Sequence, residues 1–324
     1  MTLSEVHQEQ YTTLTQAATW ADVSQRTRLE LTDEARVRFL HNMCTNQVND
    51  LPVGQGCEAL ITSLQGKVVS HVIVMKQEER ILLETGPNEA GAILKHLGKY
   101  AMIEDVELTE VTAETCELVV AGPQAEETLK AMFQTDLPTA ACQHVPVQFK
   151  DAAITLLKTP VYGANAFSLI AAVEHRELLQ QALSEKSVGE VDASVLDILR
   201  IESGFPESGV DLTEDHLAQE ANRTEKAIDF NKGCYLGQET VARIDAMGHV
   251  NKKLVLVKFS GETCPVSGSS IKHEGKEIAK VGTVCDSPLA DAYLALCMTR
   301  KGFNDVGSKF ETEFGSAEVI LPLR

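Results

Sequence analysis

A chain of 324 residues with 44% hydrophobic and 23% charged side chains is too long for one ordinary core and too apolar to stay disordered, so it divides into two or three domains. Its 47 acidic residues against 29 basic ones leave a net charge of −18, which opposes long-range attraction to DNA, RNA or anionic membranes. The basic pairs Lys252-Lys253 and Arg300-Lys301 do not amount to a run, and any polyanion would have to meet a local patch assembled in three dimensions.

The opening stretch "MTLSEVHQEQYTTL" has no apolar signal region, and nowhere does an apolar run approach the ~18 residues of a membrane span, so a cytoplasmic protein without membrane contact is expected. In that compartment the eight cysteines are expected as reduced thiols. None forms a C-x-x-C pair and the histidines show no H-E-x-x-H spacing, so no metal site is expected.

In "RTRLELTDEARVRFLHNMCTNQV", residues 28–31 alternate like a strand, Thr32 is placed to cap a helix, and Val37, Leu40 and Met43 share one helical face. The segments "CEALITSL" and "KVVSHVIVM" read as strands joined through Gln65-Gly66, "ERILLET" continues the sheet, and "NEAGAILKHLGKYA" is helical. A second series follows: strand "CELVVAGP", helix "QAEETLKAMF", strands "AITLLKT" and "AFSLIAAV", helix "HRELLQQAL". From Leu254 the texture changes to short alternating segments between Gly, Pro, Ser and Asp turns, the pattern of a small β-barrel or sandwich. The fold class is α+β.

The densest polar chemistry lies in "DFNKGCYLGQETVARI", residues 229–244. Cys234 stands between Gly233 and Gly237, near Lys232, and a helix starting after the second glycine would favour its thiolate; the bland reading is a small buried hydrophobe. Lys232 and Arg243 anchor an anionic ligand or pair with Glu239, the ordinary alternative being a structural ion pair that holds the turn, and Gln238 and Glu239 either touch a substrate or bond the loop's own backbone.

This motif, with "LELTDEARVRFLHNMCTNQVNDLPVGQGCEALITSLQGKVV", "VVAGPQAEETL" and "LDILRIESGFPESGVD" in order before it, resembles the YgfZ-type family, the folate-binding relatives of the glycine cleavage T-protein. "KGCYLGQE" matches the family signature over eight consecutive positions. The resemblance implies a three-domain, ring-like arrangement: residues 1–47 with 115–200, residues 48–114 with 201–245 carrying the motif, and a C-terminal β-barrel at 246–324. It also implies a central pocket for tetrahydrofolate or another reduced folate, with Arg200, Glu202 and Tyr235 as candidates for its wall; the alternatives are a helix-end ion pair for the first two and core packing for the tyrosine. Where the T-protein enzymes carry paired acids this chain has Ser70 and His71, and the acid expected near "VYGANAF" is replaced by Ala164. Those departures disfavour classical aminomethyl transfer. The implied function is a folate-binding accessory protein that supports iron-sulfur cluster assembly or repair in client enzymes, including tRNA-modifying ones, with Cys234 as its functional thiol and without direct nucleic-acid binding. A folate-dependent one-carbon transferase or demethylase is the alternative.

Overall fold

The computed structural model describes residues 4–324. Helix α1 (Glu5–Gln16) is capped by Ser4, whose hydroxyl accepts from His7 N at 3.2 Å, and it buries only Tyr11 and Leu14. After the short strand β1 (Thr19–Asp22) come β2 (Arg26–Thr32), α2 (Arg36–Met43), β3 (Gly56–Thr62), β4 (Val68–Lys76), β5 (Ile81–Pro87), α3 (Ala90–Ala101) and β6 (Glu107–Glu110). These five strands after β1 make one antiparallel sheet in the order β3-β4-β5-β2-β6. Side-chain alternation divides its residues between two cores. Leu29, Leu31, Val72, Val74 and Leu83 pack with Phe39 and Leu40 of α2 and Ile93 and Leu97 of α3, while Ile73, Met75 and Leu82 turn to the opposite side.

The second sheet is built from β1, β7 (Thr115–Ala121), β8 (His144–Phe149), β9 (Ala152–Leu157), β10 (Ala166–Ala172) and β11 (Gly189–Glu190), with α4 (Ala125–Phe133) after β7 and α5 (Arg176–Glu185) after β10. Its order is β11-β1-β7-β10-β9-β8, and only the β1–β11 pair is parallel. Leu118, Val120, Phe167 and Leu169 face α4 and α5; Val119, Ala121 and Ile170 face the core shared with Ile73, Met75 and Leu82 of the first sheet. Helix α6 (Ala193–Glu202), capped by Asp192, adds Val195, Leu196, Ile198 and Leu199 to that shared core.

Two short elements, α7 (Thr224–Ala227) and α8 (Gln238–Met247), lead to β12 (Lys252–Phe259), β13 (Ser270–His273), β14 (Lys276–Ser287), β15 (Ala292–Arg300), β16 (Lys309–Thr312) and β17 (Gly315–Ile320). The order β13-β14-β15-β12-β17-β16, with β13 lying against β16, nearly closes a barrel around Val257, Phe259, Ile271, Phe310 and Phe314. Its outer residues Leu254, Leu256 and Leu296 pack on Ala218, Ile228 and Tyr235. The α+β class and the barrel-like C-terminal sheet are as the sequence predicts. Among the described residues no helix is long and apolar enough to cross a membrane.

One local expectation is corrected. Thr32 does not cap α2: Asp33 turns at φ 70° and the helix starts at Arg36 behind Ala35, without a side-chain cap. The chain passes from one sheet to the other between Asp22 and Arg26: β2 hydrogen-bonds to β5 and β6 while β1 pairs with β7 and β11.

Candidate functional site

The motif loop is braced on both flanks. Lys232 is buried, and its ammonium donates to the carbonyl oxygens of His41 (2.6 Å), Cys44 (2.7 Å) and Asn46 (2.6 Å), at the C-terminal end of α2. All three donors of the ammonium are therefore used. Burial pushes its pKa down, and the ammonium also lies over the Tyr235 ring, 4.9 Å from the centroid. Leu236 N donates to Asn42 O at 2.9 Å, and Thr62 Oγ1 donates to Leu236 O at 2.6 Å.

Gly237 is required where it stands. Its φ is 87°, and a Cβ there would lie 2.5 Å from Ser63 O. It ends the loop against the β3–β4 turn and α8 starts at the next residue. Gly233 carries no such constraint, since the nearest atom to a Cβ at that position is His41 Nε2 at 3.8 Å.

Between these anchors Cys234 is exposed, so the buried-hydrophobe reading fails. Glu239 and Arg243 are also exposed, and no ion pair joins them among the described residues. The expectation that Lys232 anchors an anion or pairs with Glu239 is corrected: it holds the end of α2. Gln238 is half-buried, and its backbone N–H donates to Tyr235 O at 3.2 Å.

The predicted wall residues divide differently. Arg200 is buried among Asp197 (2.5 Å), Glu207 (3.3 Å), Asp211 (3.5 Å) and Phe205 O (2.8 Å). Glu202 accepts from Tyr11 Oη (2.7 Å), Ser287 Oγ (2.6 Å) and Arg324 Nε (2.6 Å), tying α1, α6, β14 and residue 324 together. Both are occupied by structural partners, the ion-pair alternative. Tyr235 is buried against the outer face of the barrel, and burial raises its hydroxyl to about 12.

Sequence reasoning missed a second constellation, between the two sheets. Period-2 alternation turns Arg26 and Arg28 of β2, Glu84 of β5, Glu117 of β7 and Ser168 of β10 toward one another, all of them buried. Arg26 Nε meets Glu84 Oε1 at 2.5 Å; Arg28 NH1 meets Glu117 Oε2 at 3.0 Å and spends its other donors on Thr115 Oγ1 and the carbonyls of Ser24, Thr112 and Thr115. Among the described residues the second oxygens, Glu84 Oε2 and Glu117 Oε1, have no hydrogen-bond partner. Burial and the neighbouring Glu84 raise Glu117 to about 7, against the pull of Arg28 and Arg26. The readable signal was a single acid inside an apolar strand, as in "CELVVAG" and "ILLET".

Ser70 and His71 lie next to this junction. Ser70 Oγ is 3.1 Å from Thr85 Oγ1, and His71 Nε2 is 3.1 Å from Glu58 Oε2, a carboxylate that Arg223 also grips. Burial alone would raise Glu58, but the His71 and Arg223 contacts outweigh it and hold the carboxyl at about 2. Ala164 is exposed in the loop before β10.

The family model for the GCVT N-terminal domain matches residues 2–232. The chain is 31% identical over 240 residues to the tRNA-modifying protein YgfZ of Hamiltonella defensa, covering 74% of this chain and 68% of that one. It is 26% identical over 302 residues to an aminomethyltransferase of Thermoanaerobacter pseudethanolicus, covering 91% and 82%. It is also 26% identical over 293 residues to a putative chloroplastic transferase of Arabidopsis thaliana, covering 89% of this chain but 66% of that longer one. The crystal structure of aminomethyltransferase T of the glycine cleavage system from Bartonella henselae superposes with a TM-score of 0.88 at 19% identity, over 100% of this chain and 91% of that one, which establishes the shared fold. With a GCVT N-terminal domain matched over more than half its length, and a YgfZ relative alongside, the chain belongs to the GCVT-domain family.

Proposed function

We propose that this protein is a folate-binding accessory protein that supports iron-sulfur cluster assembly or repair in client enzymes, including tRNA-modifying enzymes. The observation that carries the reading is the exposed thiol of Cys234 on a loop braced by Lys232, Leu236 and Gly237, a construction that presents a nucleophile or ligand to a partner without moving the core. The YgfZ relative, described as tRNA-modifying, points the same way.

For the reduced folate, the residues present between the two sheets fit the group. An aminopyrimidinone edge offers adjacent N–H donors, and Glu84 Oε2 and Glu117 Oε1 are buried acceptors without a donor among the described residues. When bound, a reduced folate supplies a nitrogen nucleophile that carries one-carbon units. Arg26 and Arg28 hold the two carboxylates in place.

The test is genetic and chemical. In cells lacking the protein, Cys234→Ser should fold yet fail to restore iron-sulfur enzyme activity, while Cys297→Ser, a change at a buried barrel thiol, restores it if the variant folds. Full complementation by Cys234→Ser would defeat the reading. Calorimetric titration with tetrahydrofolate tests the ligand directly. A second reading, folate-dependent aminomethyl transfer, is favoured by the aminomethyltransferase relative that aligns over 91% of this chain. Methylene-tetrahydrofolate formed from an aminomethyl-loaded carrier protein well above background would put it first.

A further inference from the structure

The loop between α3 and β6 carries the two most exposed large hydrophobic side chains among the described residues, Met102 at 86% and Ile103 at 90%. Tyr100, Ala101, Val106 and Leu108 on either side pack against the core beneath α2 and α3, and only this pair stands clear of it. Strand β6 is the last of its sheet. Its register with β2, continued by the bond from Val111 N to Arg28 O at 2.9 Å, turns the N–H and C=O groups of Glu107 and Thr109 toward β2. Those of Leu108 and Glu110 therefore point outward, and they make no backbone bond among the described residues. An open edge of this kind is a template for a further strand.

Charge decides which strand. Residues 104–114 hold Glu104, Asp105, Glu107, Glu110 and Glu114 and no Lys, Arg or His. The register sets Thr32 beside Glu107, so the exposed Asp33 and Glu34 add to the same edge. The cations on the elements packed here are Arg36 and Arg38 of α2 and Lys95 and Lys99 of α3. Arg38 pairs with Glu104 at 2.6 Å, and Arg36 donates to the carbonyls of Asp33 (2.8 Å) and Glu78 (2.6 Å). Arg28, farther inside, is buried against Glu117. The seven acids outnumber these four surface cations, and Asp105, Glu107, Glu110 and Glu114 form no ion pair among the described residues. A second copy of this chain would set the same acids against one another, and a nucleic acid or anionic membrane would add phosphates to them. Acids along an edge strand block pairing with like strands and leave it open to an unlike one.

We propose that β6 is a docking edge that takes an extended, basic segment of a partner protein as the next strand of the sheet, its apolar residues covering Met102 and Ile103 and its Lys or Arg side chains meeting Asp105, Glu107 and Glu110. Main-chain bonds to Leu108 and Glu110 hold such a segment, and the acids select it. The proposal stands independently of the folate and thiol readings.

The experiment titrates the full chain with a fluorescent peptide of alternating lysine and valine, about eight residues long, and with its glutamate–valine counterpart, while hydrogen exchange is followed at single amides. The basic peptide should bind saturably and slow exchange at Leu108 and Glu110 by about tenfold or more, with Thr109, whose N–H faces β2, as the internal reference; the acidic peptide should do neither. Met102→Ser with Ile103→Ser, and Glu107→Gln with Glu110→Gln, all at exposed positions, should each weaken binding about tenfold while the melting temperature stays at the parent value. No binding, or binding that leaves Leu108 and Glu110 unprotected, overturns the proposal, the latter being a diffuse attraction to an acidic surface. Full affinity in both double variants overturns it as well, and so does protection of these amides on raising the protein concentration alone, which would assign the edge to a second copy.

Discussion

The ammonium of Lys232 lies 2.7 Å from the carbonyl oxygen of Cys44, a residue 188 positions earlier in the chain. With its bonds to His41 O and Asn46 O, it acts as the C-terminal cap of α2, where a cation meets the carbonyls a helix leaves unpaired. Lys232→Met removes three charge-assisted bonds and strands buried carbonyls, so a loss of about 3 kcal/mol is expected from urea unfolding, with the m-value unchanged. A shift below about 0.5 kcal/mol would mean that the loop is held by its backbone contacts alone.

The eight thiols should separate by accessibility. Cys234 is exposed, whereas Cys44, Cys116, Cys142 and Cys297 are buried and burial raises each of their pKa values. Brief iodoacetamide treatment of the native protein, followed by peptide mass mapping, should label Cys234 well before those four. Labelling of Cys44 at a comparable rate would show that the motif loop opens readily.

The two glycines flanking Cys234 should respond differently to alanine. Gly237→Ala introduces a Cβ 2.5 Å from Ser63 O at a φ of 87°, so a loss of about 2 kcal/mol or more is expected. Gly233→Ala meets only ordinary contact and should stay within about 0.5 kcal/mol of the parent. Thermal melts of the two variants side by side decide it, and equal losses would contradict the loop geometry.

These contrasts show which parts of the molecule the sequence made readable. The β3–β4 hairpin was legible because "CEALITSL" and "KVVSHVIVM" are short, largely apolar, β-branched-rich runs on either side of Gln65-Gly66, and Gly66 takes the left-handed turn at φ 71°. Helix α1 was not, because only Tyr11 and Leu14 of its 12 residues are buried, and β6, "ELTE", has no apolar alternation at all. Within the site, Gly237 was predictable from local chemistry. The partner of Lys232 was not, since it is set by tertiary packing rather than by neighbours. Arg26 and Arg28 are charged residues in a strand, and only the second sheet lying over β2 turns their side into an interior.

That interior makes the last prediction one of pH. Glu117 is held at about 7, above the ordinary carboxylic value near 4.5, by burial and by Glu84. The folded state thus binds this proton more tightly than the unfolded chain, and the resulting stabilisation is present below about pH 4.5 and lost as pH rises through 7. Glu117→Gln keeps the shape without the charge, and Arg28 retains Thr115 Oγ1 and the carbonyls of Ser24, Thr112 and Thr115. Relative to the parent, the variant should therefore gain stability between pH 4.5 and 7, by on the order of 1–3 kcal/mol, and the difference should level off above about pH 7. Urea midpoints measured for both proteins from pH 4.5 to 8 test this directly. Parallel curves across that range would show that Glu117 is ionised throughout and that Arg26 and Arg28 together outweigh the cost of burying two neighbouring carboxylates.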